Sequence, residues 1–241
     1  MPIGILGALE QEISYFLARM DIWRKQEIAK HNFYYGELEN ERIVLCQTGV
    51  GKVNAASISQ ILIDLYKVKA IIFTGTAGAL DPDLNIGDII VSTDVIQFDV
   101  DFSPIGFPLG MIPYLKRSAY VANPHLVKLA LNTATKFPEQ KVVKGRILTG
   151  DQFVTTNRVA EEIRKTFKGV SVEAEGAAVG QVCYLNNIPF VIIRAISDRA
   201  NMKAPSDFTT IAEEVAKPAQ MVVVSIIKRL NELKRKKKHL K

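Results

Sequence analysis

The sequence predicts a single α/β domain of three layers, in which helices cover both faces of a central, mixed and twisted sheet. About seven short apolar runs alternate with helical patterns along the chain, and this alternation is typical of an α/β/α fold. No proline-rich or serine-rich linker divides the 241 residues, and their 48% apolar content is enough for one substantial core. We therefore expect one domain over residues 1–233 and a basic tail over 234–241.

The first strands are short apolar runs that end in polar residues or glycine. Residues 3–8, 33–38, 42–48 and 70–74 have the composition of strands, and the second and third of these should pair across a polar turn. A helix is predicted over residues 54–66. These elements make up the first half of the alternating pattern.

The middle of the chain combines a small-residue segment, a long strand and an irregular segment. G-T-A-G-A-L at 75–80 is predicted to be a loop whose backbone N–H groups face a pocket, and residues 87–96 form a β-branched strand. Residues 97–120 are rich in proline, glycine and aromatic side chains and have no steady period. An apolar, irregular segment of this length is typically a lid, a binding loop or an interface arm.

The second half returns to alternating helices and strands. A helix over 123–136 begins at Asn123, a plausible cap, with Pro124 in the first position. The pattern then predicts a strand over 142–149 and a helix over 158–167. Ser206 or Asp207 should cap a final helix that runs toward Arg235, with Pro218 as a kink or break.

The stretch from 172 to 201 organises the rest of the chain. Glu173 and Glu175 open a small-residue helix, and an apolar strand then delivers Ser197 and Asp198 to its carboxyl end. Ligands of open α/β sheets bind at that edge. Taken alone, Asp198 is as readily explained as a cap of a loop or helix.

Arg194 lies inside this apolar strand, where an unpaired guanidinium is costly. Its candidate partners are Glu12, Glu173 and Glu175. Glu12 follows the first strand, and two interpretations of it stay open: it belongs to a helix first turn favoured by the dipole, or it is a catalytic base.

The net charge of +6 comes from the end of the chain. Residues 228–241 hold eight Lys/Arg and one Glu, or +7, which leaves 23 Lys/Arg against 24 Asp/Glu, or −1, for residues 1–227. A near-neutral body gives no reason to expect a specific nucleic-acid partner. The tail is predicted to be a solvated helix end, although it has the charge to contact acidic surfaces.

Several classes of site are unexpected. Cys46 and Cys183 lie in apolar runs and are predicted to be core thiols, and the three histidines show no ligand spacing, so no metal or cofactor is expected. G-V-G-K-V at 49–53 is not a Walker loop, because Cys46 stands where glycine is needed and Val53 where Ser or Thr is needed. The apolar start, 1–8, is too short for a signal peptide or membrane span, so we expect a cytoplasmic protein.

Seven motifs in order carry a resemblance to a known family. Over about residues 3–230, the chain resembles the bacterial 5′-methylthioadenosine/S-adenosylhomocysteine nucleosidases of the purine nucleoside phosphorylase-like superfamily, which implies that family's version of the three-layer fold. The motifs are I-G-I-L-G-A-L-E-Q-E at 3–12, T-G-V-G-K-V at 48–53, T-G-T-A-G-A-L at 74–80, D-V-D…P-L-G-M-I-P at 99–113, T-G-D-Q-F-V at 149–154, V-E-A-E-G-A at 172–177 and R-A-I-S-D at 194–198.

The resemblance implies a hydrolase that splits adenine from the ribose of these nucleosides. It implies that Asp198 protonates adenine N7, Glu12 activates water and Glu175 binds the ribose 2′- and 3′-hydroxyls. Ser197 would orient Asp198, and Arg194 would organise the carboxylates. A protonated Asp can donate to N7 and accept from a 6-amino group, which suits adenine rather than 6-oxo purines.

The resemblance also implies a base site and a second subunit. Phe153 would stack on the base and the backbone of Val154 would bind its Watson–Crick side. The irregular segment would complete the neighbouring subunit's 5′-pocket in a homodimer. The remaining implied substrate positions are Leu9, Val50, Thr76, Gly78, Gln152, Ala174 and Phe208, and those implied for the partner-subunit loop are Phe102, Ile105, Phe107 and Pro113.

Two positions depart from the family pattern and bear on substrate preference. Ala174 replaces a methionine that packs on the ribose and 5′-sulfur, and Thr76 replaces the commoner serine. The candidate substrates are methylthioadenosine, adenosylhomocysteine, 5′-deoxyadenosine and a futalosine-type nucleoside.

Two other functions remain as alternatives. A phosphorylase of the same fold would need cations around a phosphate, and the loops offer Lys52 without an Arg or His cluster. A nucleoside-sensing or adhesion module would keep the fold and use the basic tail to bind polyanions, and the intact Glu12, Glu175 and Asp198 argue against it.

Overall fold

The computed structural model describes residues 1–134, 140–201 and 204–239, with the side chains of all of these except 134, 204–213 and 237–239. Its described residues form a ten-stranded sheet. The strands are β1 (Ile3–Gly7), β2 (Asp21–Ile28), β3 (His31–Leu38), β4 (Glu41–Gln47), β5 (Ile71–Ala79), β6 (Ile89–Gln97), β7 (Ala119–Val121), β8 (Val142–Thr149), β9 (Ser171–Glu173) and β10 (Phe190–Asp198).

Helices occupy the connections between these strands. They are α1 (Ser14–Leu17), α2 (Lys52–Asp64), α3 (Pro124–Ala134), α4 (Asn157–Phe167), α5 (Gly176–Leu185) and α6 (Ala204–His239), with 3₁₀ turns at Glu10–Glu12 and Ser103–Ile105. In the described part of the chain, no helix has both the length and the apolar character needed to cross a membrane.

The sheet is mixed and covered on both faces. Its strands follow the order β10-β6-β8-β9-β5-β1-β4-β3-β2, β7 pairs with β6, and β10 also pairs with β5. The neighbours β4, β1, β5 and β10 are all parallel, so their carboxyl ends share one edge. Side chains of α1, α3 and α6 pack in one apolar cluster and those of α2 and α5 in another. The predicted three-layer α/β/α fold is therefore confirmed.

Alternation along the strands explains why both clusters form. In β10, Val191 and Ile193 enter the cluster with α6, whereas Ile192 enters the cluster with α2 and α5. A parallel strand buried on both faces is apolar at nearly every position, because successive side chains point to opposite faces. The four successive apolar residues at 190–193 of β10 are the sequence signature of this arrangement.

Three strands were not assigned from the sequence. β2 (D-I-W-R-K-Q-E-I) lies at the edge of the sheet with most side chains exposed, so it lacks an apolar run. β7 and β9 have three residues each, too few to show a period.

Two predictions about element boundaries were wrong. Residues 75–79 are not a loop: they continue β5 to Ala79, fully buried and paired with β10. The final helix begins at Ala204, before the predicted caps Ser206 and Asp207, and it continues past Pro218, so the predicted alternative of a break is wrong. The alternative of a kink at Pro218 stays a prediction. Small residues and proline usually interrupt elements, and here tertiary packing overrides that tendency.

Two other local predictions are confirmed. Asn123 caps α3, because its Oδ1 accepts hydrogen bonds from the N–H groups of His125 and Leu126 at 3.1 Å each, and Pro124 takes the first helical position. The segment between β6 and β7 is irregular apart from the 3₁₀ turn at Ser103–Ile105.

Glu41 fastens the end of α6 to the sheet. Its side chain is 2% exposed, and its carboxylate lies 2.5 Å from Lys69 Nζ and 3.3 Å from Lys234 Nζ. Asn231 of α6 also donates to the backbone carbonyl of Asn40. Burial alone would raise the pKa of Glu41, but the hydrogen bonds and charges of Lys69 and Lys234 outweigh it, and the pKa is lowered.

We predict that Glu41→Gln lowers the free energy of unfolding at pH 7 by about 1–3 kcal/mol, the cost of leaving buried polar partners unmatched. Because folding lowers this pKa, the contribution is present above the ordinary glutamate value of about 4.3 and disappears as the pH falls through the lower folded value. Urea unfolding at pH 7 and at pH 3 measures both effects. Glu27→Gln, on the exposed edge strand, is the control, and equal losses for the two variants at pH 7 would contradict the prediction.

Candidate active site

An open cleft lies at the shared carboxyl edge of β1, β5 and β10, with about 610 Å³ of space between its atoms. That volume includes space open to solvent. The edge itself is where ligands of α/β sheets bind. The predicted substrate positions that line it are Leu9, Glu12, Val50, Thr76, Gly78, Gln152, Phe153, Val154, Ala174, Glu175, Ser197 and Asp198.

The other predicted positions lie elsewhere. Arg194 contacts the cleft carboxylates from within the sheet and is not itself part of the lining. The side chain of Phe208 is outside the described residues. The four positions assigned to a partner subunit do not line the cleft of their own chain; they are Phe102, Ile105, Phe107 and Pro113.

Glu12 is held at the end of β1 by a tight turn. Its Oε2 accepts hydrogen bonds from the N–H groups of Ala8 at 2.7 Å and Leu9 at 3.1 Å, so the residue does close the first turn. Its Oε1 accepts from the N–H of Thr76 at 2.8 Å and the hydroxyl of Thr76 at 3.1 Å. These donors fix the carboxylate in the cleft, where it is 2% exposed, so the turn role and the site role coexist.

Asp198 ends β10 beside Ser197. Ser197 Oγ donates to Asp198 Oδ2 at 2.9 Å, and the N–H of Ala200 donates to Oδ1 at 2.8 Å. The pairing with β5 shifts register between Ile196 and Asp198, opposite Gly78. A Cβ at position 78 would lie 2.8 Å from Asp198 Oδ1, so glycine leaves the carboxyl its place in the cleft. The carboxyl both caps the following turn and faces the site.

Arg194 is fully buried and paired with carboxylates. Its Nη2 donates to Glu173 and lies 3.4 Å from Glu175 Oε2, and its guanidinium carbon is 4.1 Å from the centroid of the Phe73 ring. Burial by itself would lower the pKa of Arg194, but Glu173, Glu175 and Glu12 raise it. The guanidinium therefore stays charged beneath the cleft.

Glu173 has a larger part in the site than the sequence indicated. Its carboxylate accepts hydrogen bonds from Thr149 Oγ1, from the N–H groups of Glu175 and Gly176, and from Arg194. The sequence indicated it only as a possible partner of Arg194 and as one of two acidic residues that open a helix. Here it joins β8, the start of α5 and Arg194.

Glu175 faces the cleft from the start of α5. Its Oε1 accepts a hydrogen bond of 2.9 Å from the N–H of Gly51, whose φ of +98° favours glycine. Burial and the neighbouring Glu173 raise the pKa of Glu175 to about 8, against the opposing effects of Arg194 and the Gly51 N–H. Burial and the neighbouring carboxylate thus favour the protonated form of Glu175 more than water would, and that form can donate a hydrogen bond to a hydroxyl.

The charges of the cleft are acidic. Among the described residues that line it, four are Asp or Glu and none is Lys, Arg or His. Lys52, the predicted candidate for a phosphate ligand, has its Nζ 2.8 Å from both carboxylate oxygens of Asp99. The described residues contain no cluster of His, Cys, Asp or Glu able to hold a metal. The arrangement suits a ligand that develops positive charge.

Comparisons with known proteins agree with this geometry. The model of the phosphorylase superfamily matches residues 2–228. A 5′-methylthioadenosine/S-adenosylhomocysteine nucleosidase of Bacillus licheniformis is 38% identical over 232 residues, covering 96% of this chain and 100% of the relative. The nucleosidase of the same name from Tolumonas auensis is 36% identical over 231 residues, covering 95% and 100%.

Solved structures give the same assignment. The Neisseria meningitidis nucleosidase of this name, in complex with methylthio-immucillin-A, has a TM-score of 0.91 and 35% identity over 95% of this chain and 99% of that one. A futalosine hydrolase of Helicobacter pylori has a TM-score of 0.91 and 31% identity over 95% and 98%. This chain therefore belongs to the 5′-methylthioadenosine/S-adenosylhomocysteine nucleosidase family, within the phosphorylase superfamily.

Proposed function

We propose that this protein hydrolyses the N-glycosidic bond of 5′-methylthioadenosine and S-adenosylhomocysteine, releasing adenine and the 5-thio-substituted ribose. The observation that carries the proposal is the convergence of Glu12, Glu175 and Asp198 on one cleft, each 5% exposed or less. A carboxylate held in such a cleft, the role proposed for Glu12, is suited to stabilise the oxocarbenium-like state through which such a bond breaks.

Asp198 is the proposed general acid. Adenine leaves poorly until it is protonated, and a carboxyl oriented by Ser197 Oγ at 2.9 Å can deliver a proton to N7. Phe153 and Val154 line the same cleft and would hold the base against this carboxyl. General acid catalysis of this kind typically contributes about 10²–10⁴-fold.

The other two carboxyl groups, those of Glu175 and Glu12, would bind the ribose and the attacking water respectively. Glu175, with its pKa raised to about 8, is suited to exchange hydrogen bonds with the 2′- and 3′-hydroxyls. Glu12 would orient water and take its proton as the bond to C1′ forms. Arg194, which contacts Glu173 and Glu175 from below, keeps these acidic groups together.

The 5′ side of the substrate is less closely specified. Ala174 lines the cleft with a small side chain, and the similarity to a futalosine hydrolase favours a nucleoside with a larger 5′ group as a second candidate substrate. Comparing kcat/KM for methylthioadenosine, adenosylhomocysteine, 5′-deoxyadenosine and futalosine would rank the candidate substrates.

We also propose that the protein works in the cytoplasm as a homodimer, in which the irregular segment of each subunit covers the other's 5′-pocket.

Asp198→Asn should keep the fold and lose useful turnover, because an amide cannot supply the proton to N7. Adenine release should fall by at least about 10²-fold, the lower end of what general acid catalysis contributes. Asp83→Asn, in an exposed turn away from the cleft, is the control and should keep wild-type kcat. An Asp198→Asn enzyme with more than about a tenth of wild-type kcat would refute the acid assignment.

The nucleophile should be water rather than phosphate. Wild-type protein in phosphate-free buffer is expected to yield free 5-substituted ribose, at a rate unchanged by phosphate at tens of millimolar. Glu12→Gln should lower kcat by about 10²–10⁴-fold with little change in substrate affinity, because the amide keeps the shape but takes no proton. A sugar 1-phosphate, formed only when phosphate is present, would assign the protein to the phosphorylases instead.

The apolar surface of the irregular segment supports the proposed homodimer. Ile105 is 66% exposed and Leu109 is 45% exposed, and such patches usually mark interfaces. Sedimentation at micromolar concentration should show a dimer, and Ile105→Lys should weaken it and raise KM together. Ile86→Lys, at an exposed apolar position before β6, is the control. A fully active wild-type monomer would rule out a pocket completed by the partner.

A further inference from the structure

Three loops around the cleft meet at a single lysine outside its lining. Lys52 begins α2, and its Nζ lies 2.8 Å from both carboxylate oxygens of Asp99 and 3.8 Å from Asp151 Oδ2. The side chains of Lys52 and Asp99 are 18% and 12% exposed, whereas that of Asp151 is 49% exposed. The ion pair with Asp99 is therefore largely shielded from water.

Backbone hydrogen bonds close these contacts into a ring. Asp151 Oδ1 accepts from the N–H of Lys52 at 2.9 Å, and Asp99 Oδ2 accepts from the N–H of Asp151 at 3.0 Å. Each of the three residues thus contacts both of the others. Such a ring fixes the backbone of the loops as well as the charges, which a simple surface ion pair does not do.

Two of the three loops lead into residues that line the cleft, and the third begins the irregular segment. Lys52 follows Gly51, whose N–H binds Glu175. Asp151 precedes Gln152, Phe153 and Val154, all of which line the cleft. Asp99 stands at the start of the irregular segment that follows β6. A movement of the ring would therefore shift the ribose side, the base side and the interface arm together.

The two aspartates also determine what Lys52 does not do. Its ammonium group is 2.8 Å from both oxygens of Asp99, and Asp151 lies on a second side. The cluster carries one positive and two negative formal charges, so it does not attract an anion such as phosphate. Its chemistry is that of a clamp between loops rather than that of a ligand site.

We propose that Lys52, Asp99 and Asp151 form a positioning cluster. The cluster holds the loop at 152–154 and the turn at Gly51 in the relative positions that substrate binding requires. The inference rests on the proposed nucleosidase function but concerns residues outside the lining of the cleft. Positioning of this kind acts mainly on the productive binding of substrate, and an error of about 1 Å in such contacts can cost about 10²-fold in rate.

The test is a kinetic comparison of Lys52→Met, Lys52→Arg and Asp99→Asn with wild type. For Lys52→Met we expect kcat/KM for methylthioadenosine to fall by about 10–100-fold, mostly through a higher KM, because the acid and base are untouched. Lys52→Arg keeps the charge and should recover most of the loss. Lys165→Met removes an exposed ion pair with Glu161 on α4 and should leave both constants unchanged.

Asp99→Asn provides the independent check, since it keeps shape while weakening the same ring. Its effect on KM should match that of Lys52→Met, and the double variant should be little worse than either single one, as expected for residues acting as a unit. Folded variants with wild-type KM, or a loss of melting temperature alone, would overturn the positioning role. If wild type itself releases no adenine, the proposed function fails; if wild type is active and KM is unmoved in both variants, only this inference fails.

Discussion

The site depends on the burial of one guanidinium among carboxylates. Arg194 has no exposed surface, and it contacts Glu173 and Glu175 directly. Without a cation between them, two buried carboxylates would repel each other in a region that water barely reaches, and breaking such a buried pair is strongly destabilising. Even with Arg194 in place, burial and the neighbouring Glu173 raise the pKa of Glu175 to about 8. The burial of these groups at the sheet therefore sets the pKa of Glu175 in the absence of substrate.

Small residues on β5 give these charged groups their room. β5 lies between β1 and β10, the strands that deliver Glu12 and Asp198. A Cβ at Gly75 would lie 2.1 Å from Arg194 Nη1 and 2.6 Å from Glu12 Oε1, so no larger residue fits without displacing both. The small residues of β5 thus determine how closely the reactive groups on the neighbouring strands approach one another.

This strand also shows what the sequence could and could not predict. Apolar runs such as β10 and a local cap such as Asn123 depend on neighbouring residues, so their patterns predict them directly. The extension of β5 through Gly75 was predicted as a loop, because glycine and threonine join a strand there only through pairing with distant β10. The edge strand β2 was missed for the opposite reason, since it buries little apolar surface.

The candidate site likewise has features that the sequence could predict and features that it could not. The family resemblance implied that Glu12, Glu175 and Asp198 share one site, and all three line the cleft. Glu12 and Asp198 follow or end parallel strands, whose carboxyl ends meet at one edge, whereas Glu175 follows β9, which is antiparallel to β5. The role of Glu173 and the ring around Lys52 depend on how separate loops meet in space, as does the raised pKa of Glu175. The spacing of residues along the sequence does not indicate the distances between these loops.

Charge, rather than fold, distinguishes the two reactions open to this superfamily. A phosphorylase must bind a phosphate dianion, but two cations beside the cleft are already paired, Arg194 with Glu173 and Lys52 with Asp99. At an effective dielectric constant of about 20 and a separation of about 4–5 Å, each negative charge on phosphate would meet roughly 3–4 kcal/mol of repulsion from an ionised Glu12. Water meets no such barrier and finds an acceptor for its proton in the same carboxylate. The cations are already paired with carboxylates, so the cleft favours hydrolysis over attack by phosphate. The backbone fold, which it shares with phosphorylases, does not distinguish the two reactions.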